Sequence, residues 1–113
     1  MIIVKHYTEV ESKVVEEAKG TKIRWLIGKE LNPPNFYLRM FELEEGGSTP
    51  YHEHPWEHEV FVLEGQGAIK DPDGNLIPLE PGKFVLVPPN IKHQFLNTGK
   101  DIFRFLCIIP KVD

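Results

Sequence analysis

Three histidines fall within seven residues, His52, His54 and His58, in the run Tyr51-His52-Glu53-His54-Pro55-Trp56-Glu57-His58-Glu59. Neutral imidazole is the commonest protein metal ligand. Along an extended chain side chains alternate faces, so positions 52, 54 and 58 share a parity and project to one side. Glu53, Glu57 and Glu59 have the opposite parity and face solvent. Imidazoles are thereby separated from carboxylates, and three imidazoles on one face make a ready chelate. The competing reading is a solvated strand face that happens to carry histidines.

A second pattern lies downstream. The first runs Gly46, five residues, His52-Glu53-His54, three residues, His58, six residues, Gly65. The second runs Gly82, five residues, Pro88-Pro89-Asn90, two residues, His93, three residues, Asn97. In spacing and order these resemble the two motifs of the cupin superfamily. That resemblance implies an all-β fold, a single-domain double-stranded β-helix or jelly-roll barrel. Two departures stand out. His58 occupies the place where the family pattern usually has a glutamate ligand, which changes the chemistry. Asn90 stands where glycine is usual, and asparagine also tolerates left-handed backbone.

The run His52-Glu53-His54-Pro55-Trp56-Glu57-His58-Glu59, the entry Pro34-Asn35-Phe36 and the closing Phe105-Leu106-Cys107-Ile108-Ile109-Pro110-Lys111 carry a closer likeness. They resemble the small, four-histidine manganese cupins of thermophilic prokaryotes over almost the whole length. This resemblance implies a metal held by His52, His54, His58 and His93, six-coordinate, with two adjacent positions for water or substrate. It also implies a homodimer and, as in some members, an oxidative, dioxygenase-like activity. Four neutral ligands leave a divalent ion its full charge, a stronger Lewis acid than one with a glutamate ligand. A tetrahedral arrangement of the four would close the site as in structural zinc, whereas an octahedral one leaves it open. Imidazole by itself suits zinc, copper, iron and nickel, while manganese favours oxygen ligands. The expected cofactor is one divalent transition metal: Mn2+ by resemblance, with Fe2+, Ni2+, Cu2+ or Zn2+ as alternatives.

The elements that must position these residues are short. Ten prolines and nine glycines punctuate segments rich in Val, Ile, Phe, Tyr and Trp, the pattern of an all-β barrel or sandwich. Strands are expected at 23–27, 35–43, 58–63, 84–87, 93–96 and 102–109, with turns at Glu44-Glu45-Gly46-Gly47, Asp71-Pro72-Asp73-Gly74-Asn75 and Asn97-Thr98-Gly99. The Asp-Gly pair suits a hairpin. Residues 1–113 read as one domain, with an N-terminal arm over 1–20 and a barrel core over about 36–110. In the arm, Thr8-Glu9-Val10-Glu11 fits a helix capping box, with Val10, Val14 and Ala18 on one helical face. An extended arm with Val14-Val15 paired to a sheet edge fits equally well.

On the last strand Phe103, Phe105, Cys107 and Ile109 share a parity. Arg104, on the other, belongs in water or at a partner surface, so the odd-numbered residues line the interior. Phe105, Cys107 and Ile109 then form an apolar wall near the metal, or are simply core. Cys107 reads as a packed small residue, since its sequence neighbours supply no base and an apolar wall raises a thiol pKa. Arg39, within Phe36-Tyr37-Leu38-Arg39-Met40-Phe41, either points inward to orient an anionic ligand or outward into water. Trp56 shapes the mouth of the site or serves an interface or the core. His6 is expected at the surface, and Asn97 as a cap or turn residue.

Bulk properties narrow the function. The net charge is −4 and the basic residues are scattered, unlike a nucleic-acid binder. No apolar run approaches the roughly 18 residues of a membrane span. Met1–Val4 is broken by Lys5 and His6, too short for a signal peptide. The single cysteine fits a reducing cytosol, so a cytoplasmic location is expected. Leu106 and Ile108, an apolar second face on the last strand, agree with a dimer. The leading expectation is a manganese- or iron-dependent oxidoreductase using dioxygen or a peroxide on a small organic molecule. The alternatives are a metal-dependent sugar or sugar-phosphate isomerase or epimerase, and a non-enzymatic small-molecule-binding module. The isomerase would want an inward glutamate and basic phosphate anchors, for which only Arg39 is placed.

Overall fold

The computed structural model describes residues 1–112. Nine strands account for nearly all regular structure: β1 (Lys13–Val14), β2 (Lys19–Ile27), β3 (Phe36–Ser48), β4 (His58–Glu64), β5 (Gly67–Lys70), β6 (Leu76–Leu79), β7 (Phe84–Val87), β8 (Gln94–Asn97) and β9 (Phe103–Pro110). They form one curled sheet in the order β6-β5-β8-β3-β9-β4-β7, with β2 on β3 and β1 on β2. Every described pairing is antiparallel. The expected all-β jelly-roll fold is the observed one.

Curling places alternate residues of each strand inside. On β9, Phe103, Phe105, Cys107 and Ile109 are all buried, and on β4 so are His58, Val60 and Val62. Rows of these side chains run across the sheet: Arg39 pairs with Trp25 on one side and Cys107 on the other, and Cys107 pairs with Val60. The next row joins Ile23, Phe41, Phe105 and Val62. Burial of such large apolar groups is worth about 1.5–3 kcal/mol each, the main force closing the barrel. Asn97 ties the closed end: its Nδ2 donates to the carbonyls of Leu43 and Asp101 and its Oδ1 accepts from Gly99 N–H. The expected turn role of this residue is seen in those bonds.

One local expectation is corrected and two others are narrowed. Glu44-Glu45-Gly46-Gly47 does not turn the chain: β3 continues to Ser48 through a wide bulge. Leu43 faces Thr21 and Ser48 faces Lys19, so four residues of β3 oppose Gly20 alone. The turn-forming chemistry is real, since Gly46 has φ +77°, but hydrogen bonding to β2 resumes beyond it. At Gly47 a Cβ would lie 2.7 Å from the Gly20 carbonyl oxygen, so only glycine passes there.

The arm is not an α-helix. A three-residue 3-10 turn, Tyr7–Glu9, is capped by His6 rather than Thr8, and β1 then pairs with β2, the sheet-edge alternative. Pairing with β2 satisfies backbone groups that a short isolated helix would leave weakly held. Arg104 lies on the opposite side of β9 from the buried residues, as expected, but is not free in water. It is half-buried and ion-paired through Nη2 to Glu42 at 2.8 Å and through Nη1 to Glu64 at 2.6 Å. Arg24 completes the cluster on Glu42 at 3.1 Å and donates to the carbonyls of Tyr7 and Val10, which fastens the arm to the barrel.

Candidate metal centre

The segment carrying His52 and His54 is a loop rather than a regular strand, and only His58 begins one. The loop is nonetheless held extended. The Thr49 N–H donates to the Phe95 carbonyl and the Phe95 N–H to the Thr49 hydroxyl, both at 2.9 Å, and His52 exchanges backbone bonds with His93 at 3.1 and 2.9 Å. Asn90, with φ +65°, donates its N–H to the His54 carbonyl at 2.6 Å. Asn90, His93 and Phe95 of the second motif therefore grip the first, and alternation persists without a ladder: Glu53, Glu57 and Glu59 are exposed.

Ring nitrogens of His52, His54 and His93 come within 4.8 Å of one another. His58 is outside that set but beside it, its ring centroid 4.9 Å from His54 and 5.1 Å from His93. The His93 Nδ1 lies 2.8 Å from the Ile91 carbonyl oxygen, an acceptor that fixes the proton on Nδ1 and frees the Nε2 lone pair. Trp56 stacks on His54 with centroids 4.8 Å apart and planes 3° from parallel, which steadies that ring.

Burial and neighbouring charges disfavour protonation of three of the rings, His52, His54 and His58. Burial, then the neighbouring His93, lowers the His52 pKa from its ordinary value. Burial and then His52 push His54 down to about 4. Burial and then the Arg39 guanidinium push His58 down to about 3. Neutral imidazoles offer lone pairs, and His58 Nε2 is buried with no hydrogen-bond partner. Four clustered imidazoles, one with an otherwise orphaned nitrogen, fit a divalent transition metal.

The other sequence-predicted residues also come to this place. Arg39, Trp56, Phe105, Cys107 and Ile109 line the same cavity of about 540 Å³ as the four histidines. Arg39 points inward and is buried, with Nη2 3.0 Å from Cys107 Sγ and 3.5 Å from His58 Nδ1. Cys107 Sγ is 3.3 Å from His58 Nδ1, and burial pushes the thiol pKa up. Its sequence neighbours supply no base, but the fold sets an imidazole beside it. Trp25, Phe41 and Phe95 also line the cavity, and sequence reasoning missed them. The usable signal for Phe41 was its parity with Arg39, whereas Trp25 arrives through the β2–β3 register.

Comparison with known proteins agrees with this architecture. The family model of the cupin domain matches residues 39–109. Among curated proteins, the chain is 43% identical over 65 residues to a glucose-6-phosphate isomerase of Pyrococcus abyssi, covering 53% of this chain and 34% of that protein. The chain thus spans about a third of the length of that relative. Among solved structures, the polyketide cyclase RemF from Streptomyces resistomycificus superposes with a TM-score of 0.91 and 36% identity, covering 97% of this chain and 80% of that one. A predicted oxalate decarboxylase from Thermotoga maritima shares the fold, with a TM-score of 0.83, 24% identity and coverage of 96% and 98%. With both motifs matched and the curled sheet in place, the chain belongs to the cupin family.

Proposed function

We propose that this cupin binds one divalent transition metal, manganese or iron foremost, on His52, His54, His93 and His58. We propose further that it is an oxidoreductase using dioxygen or a peroxide on a small, largely apolar organic molecule. The observation that carries this reading is the placement of the histidine cluster in the wall of an aromatic cavity. A bound redox-active ion supplies Lewis acidity and one-electron chemistry. The chain's own residues supply the rest. The Ile91 carbonyl and Trp56 hold His93 and His54 in fixed orientations. Phe41, Phe95 and Phe105 form a stacked wall, with Phe105 centroids 5.3 and 4.7 Å from the other two, which excludes water and favours a flat apolar substrate. The motif glutamates face away, so the ion's charge is not offset by them.

A second reading rests on one observation, the 36% identity with a polyketide cyclase over 97% of the chain. The same aromatic cavity would then fold a polyketide-like chain for cyclisation without an oxidant. The isomerase reading rests on a match to a third of that relative's length. It is the weaker because Glu53, Glu57 and Glu59 do not line the cavity, and Glu16 and Glu17, which do, are exposed on the arm. The test is to determine metal content by elemental analysis, then assay alkene, phenol and polyketide-like compounds with and without dioxygen or peroxide. The proposal predicts turnover that needs both the redox metal and the oxidant. Turnover undiminished without oxidant would favour the cyclase reading.

A further inference from the structure

We propose that Arg39 anchors an anionic oxygen, a carboxylate or phenolate carried on a small aromatic molecule, inside the cavity it shares with the histidines. This deepens the proposed function, because it takes that cavity as the substrate site, but it does not depend on the metal.

The chain has three arginines. Arg24 and Arg104 are half-buried and both pair with Glu42. Arg39 is the most buried of the three, 9% exposed, yet among the described residues it forms no ion pair. Its Nη2 donates to Cys107 Sγ, a weak acceptor, and its Nε has no hydrogen-bond partner. Guanidinium stays protonated in proteins, so a cation here is uncompensated by the fold, and burying a charge without a counter-ion is costly. A cost of this kind at a cavity wall is expected where a ligand supplies the missing anion.

The surroundings specify the anion. The Arg39 guanidinium carbon sits 5.5 Å from the Trp25 ring centroid and 5.1 Å from that of Phe41. These contacts hold the fork in place, as rigid anchoring of a planar group requires. The remaining wall includes Trp56, Phe95 and Phe105, so the rest of the ligand meets aromatic surface. Glu16 and Glu17 also line the cavity, but both are exposed on the arm, and neither forms an ion pair with Arg39. A single guanidinium with one nitrogen already engaged matches a flat, singly charged oxygen group better than a phosphate, which calls for several donors.

The experiment uses the full-length protein stripped of metal by a chelator, titrated with benzoate and with its neutral analogue benzamide. Tryptophan fluorescence reports binding, because both tryptophans, Trp25 and Trp56, line the cavity. Saturable benzoate binding is expected, with benzamide weaker by at least about tenfold. Arg39→Met should weaken benzoate to the benzamide level, and Arg39→Lys should retain part of the affinity. Equal binding of the two probes, no benzoate binding in the millimolar range, or an Arg39→Met variant that binds benzoate like the parent would each overturn the proposal. For the case of a misfolded Met variant, the parent's Arg39 side-chain N–H signal is followed by 15N NMR. It should move with benzoate and not with benzamide, and an unmoved signal counts against the anchor. Metal content is measured separately on untreated protein, so failure of the metal proposal and failure of the anion site give distinct results.

Discussion

His58 differs from the other clustered histidines in what surrounds it. Its Nδ1 faces Cys107 and Arg39, its Nε2 is buried without a partner, and its ring lies beside those of His54 and His93. A bound ion would satisfy that nitrogen, and burial, then Arg39, already disfavours protonation of the ring. Replacement by alanine is therefore expected to weaken metal binding by at least about tenfold while leaving the barrel folded. Isothermal titration with Mn2+ together with circular dichroism checks this, and parental metal affinity would remove His58 from the ligand set. Glu59→Gln serves as the control. It adjoins His58 in sequence but is exposed, so its metal content should match the parent.

At the scale of elements, Glu42 on β3 joins β2, β9 and β4, pairing with Arg24 and with Arg104, which also holds Glu64. Burial alone would raise its pKa, but the hydrogen bonds from Arg104 and Arg24 outweigh that and hold it below the ordinary 4.5. A carboxyl held low when folded takes up its proton first in the unfolded chain. The network's stabilisation is therefore fully present above about pH 4.5 and is lost as pH falls through the folded-state value below it. Glu42→Gln should cost about 1–3 kcal/mol at neutral pH, the scale of charge-assisted hydrogen bonds. Urea denaturation at pH 7 and pH 3 tests it: the gap between variant and parent should narrow in acid, and a gap independent of pH would refute the assignment. Strands 84–87 and 58–64 were readable within a residue, because β-branched and aromatic runs ended at prolines or glycines. The extension of β3 through Gly46 and Gly47 was not. The same glycines serve a turn or a bulge, and only the resumed pairing of Ser48 with Lys19 distinguishes them.

For the molecule as a whole, one outer face is left apolar. Phe84 pairs with Phe61 across β7 and β4, Phe61 pairs with Leu106, and Ile108 and Leu86 flank Glu59 in the next row. Phe84, Leu86, Phe61 and Ile108 are 84%, 60%, 43% and 37% exposed, an apolar patch interrupted only by Glu59 and of the kind that pairs with a partner. We propose a second copy of this chain as that partner, since a twofold contact uses one patch twice. Light scattering should give twice the 13.0 kDa chain mass, and Phe84→Glu should shift it toward one chain mass. A parent that scatters as a single chain at micromolar concentration would end the dimer proposal. Among the described residues no helix is long and apolar enough to cross a membrane.

Composition and punctuation were enough to read an all-β chain, because turn residues and alternating apolar runs act locally. Parity was enough to separate the motif glutamates from the histidines, and Phe105, Cys107 and Ile109 from Arg104. What parity leaves open is which face of a strand is the inside when both carry apolar groups, as β3 does. Arg39 was undecided for that reason. It turns inward because β2 and β9 flank β3 in a register that sets Trp25 and Cys107 on either side of it. Likewise the proximity of Cys107 to His58 is a contact across 49 positions of chain, invisible to any local pattern and produced only when the sheet curls.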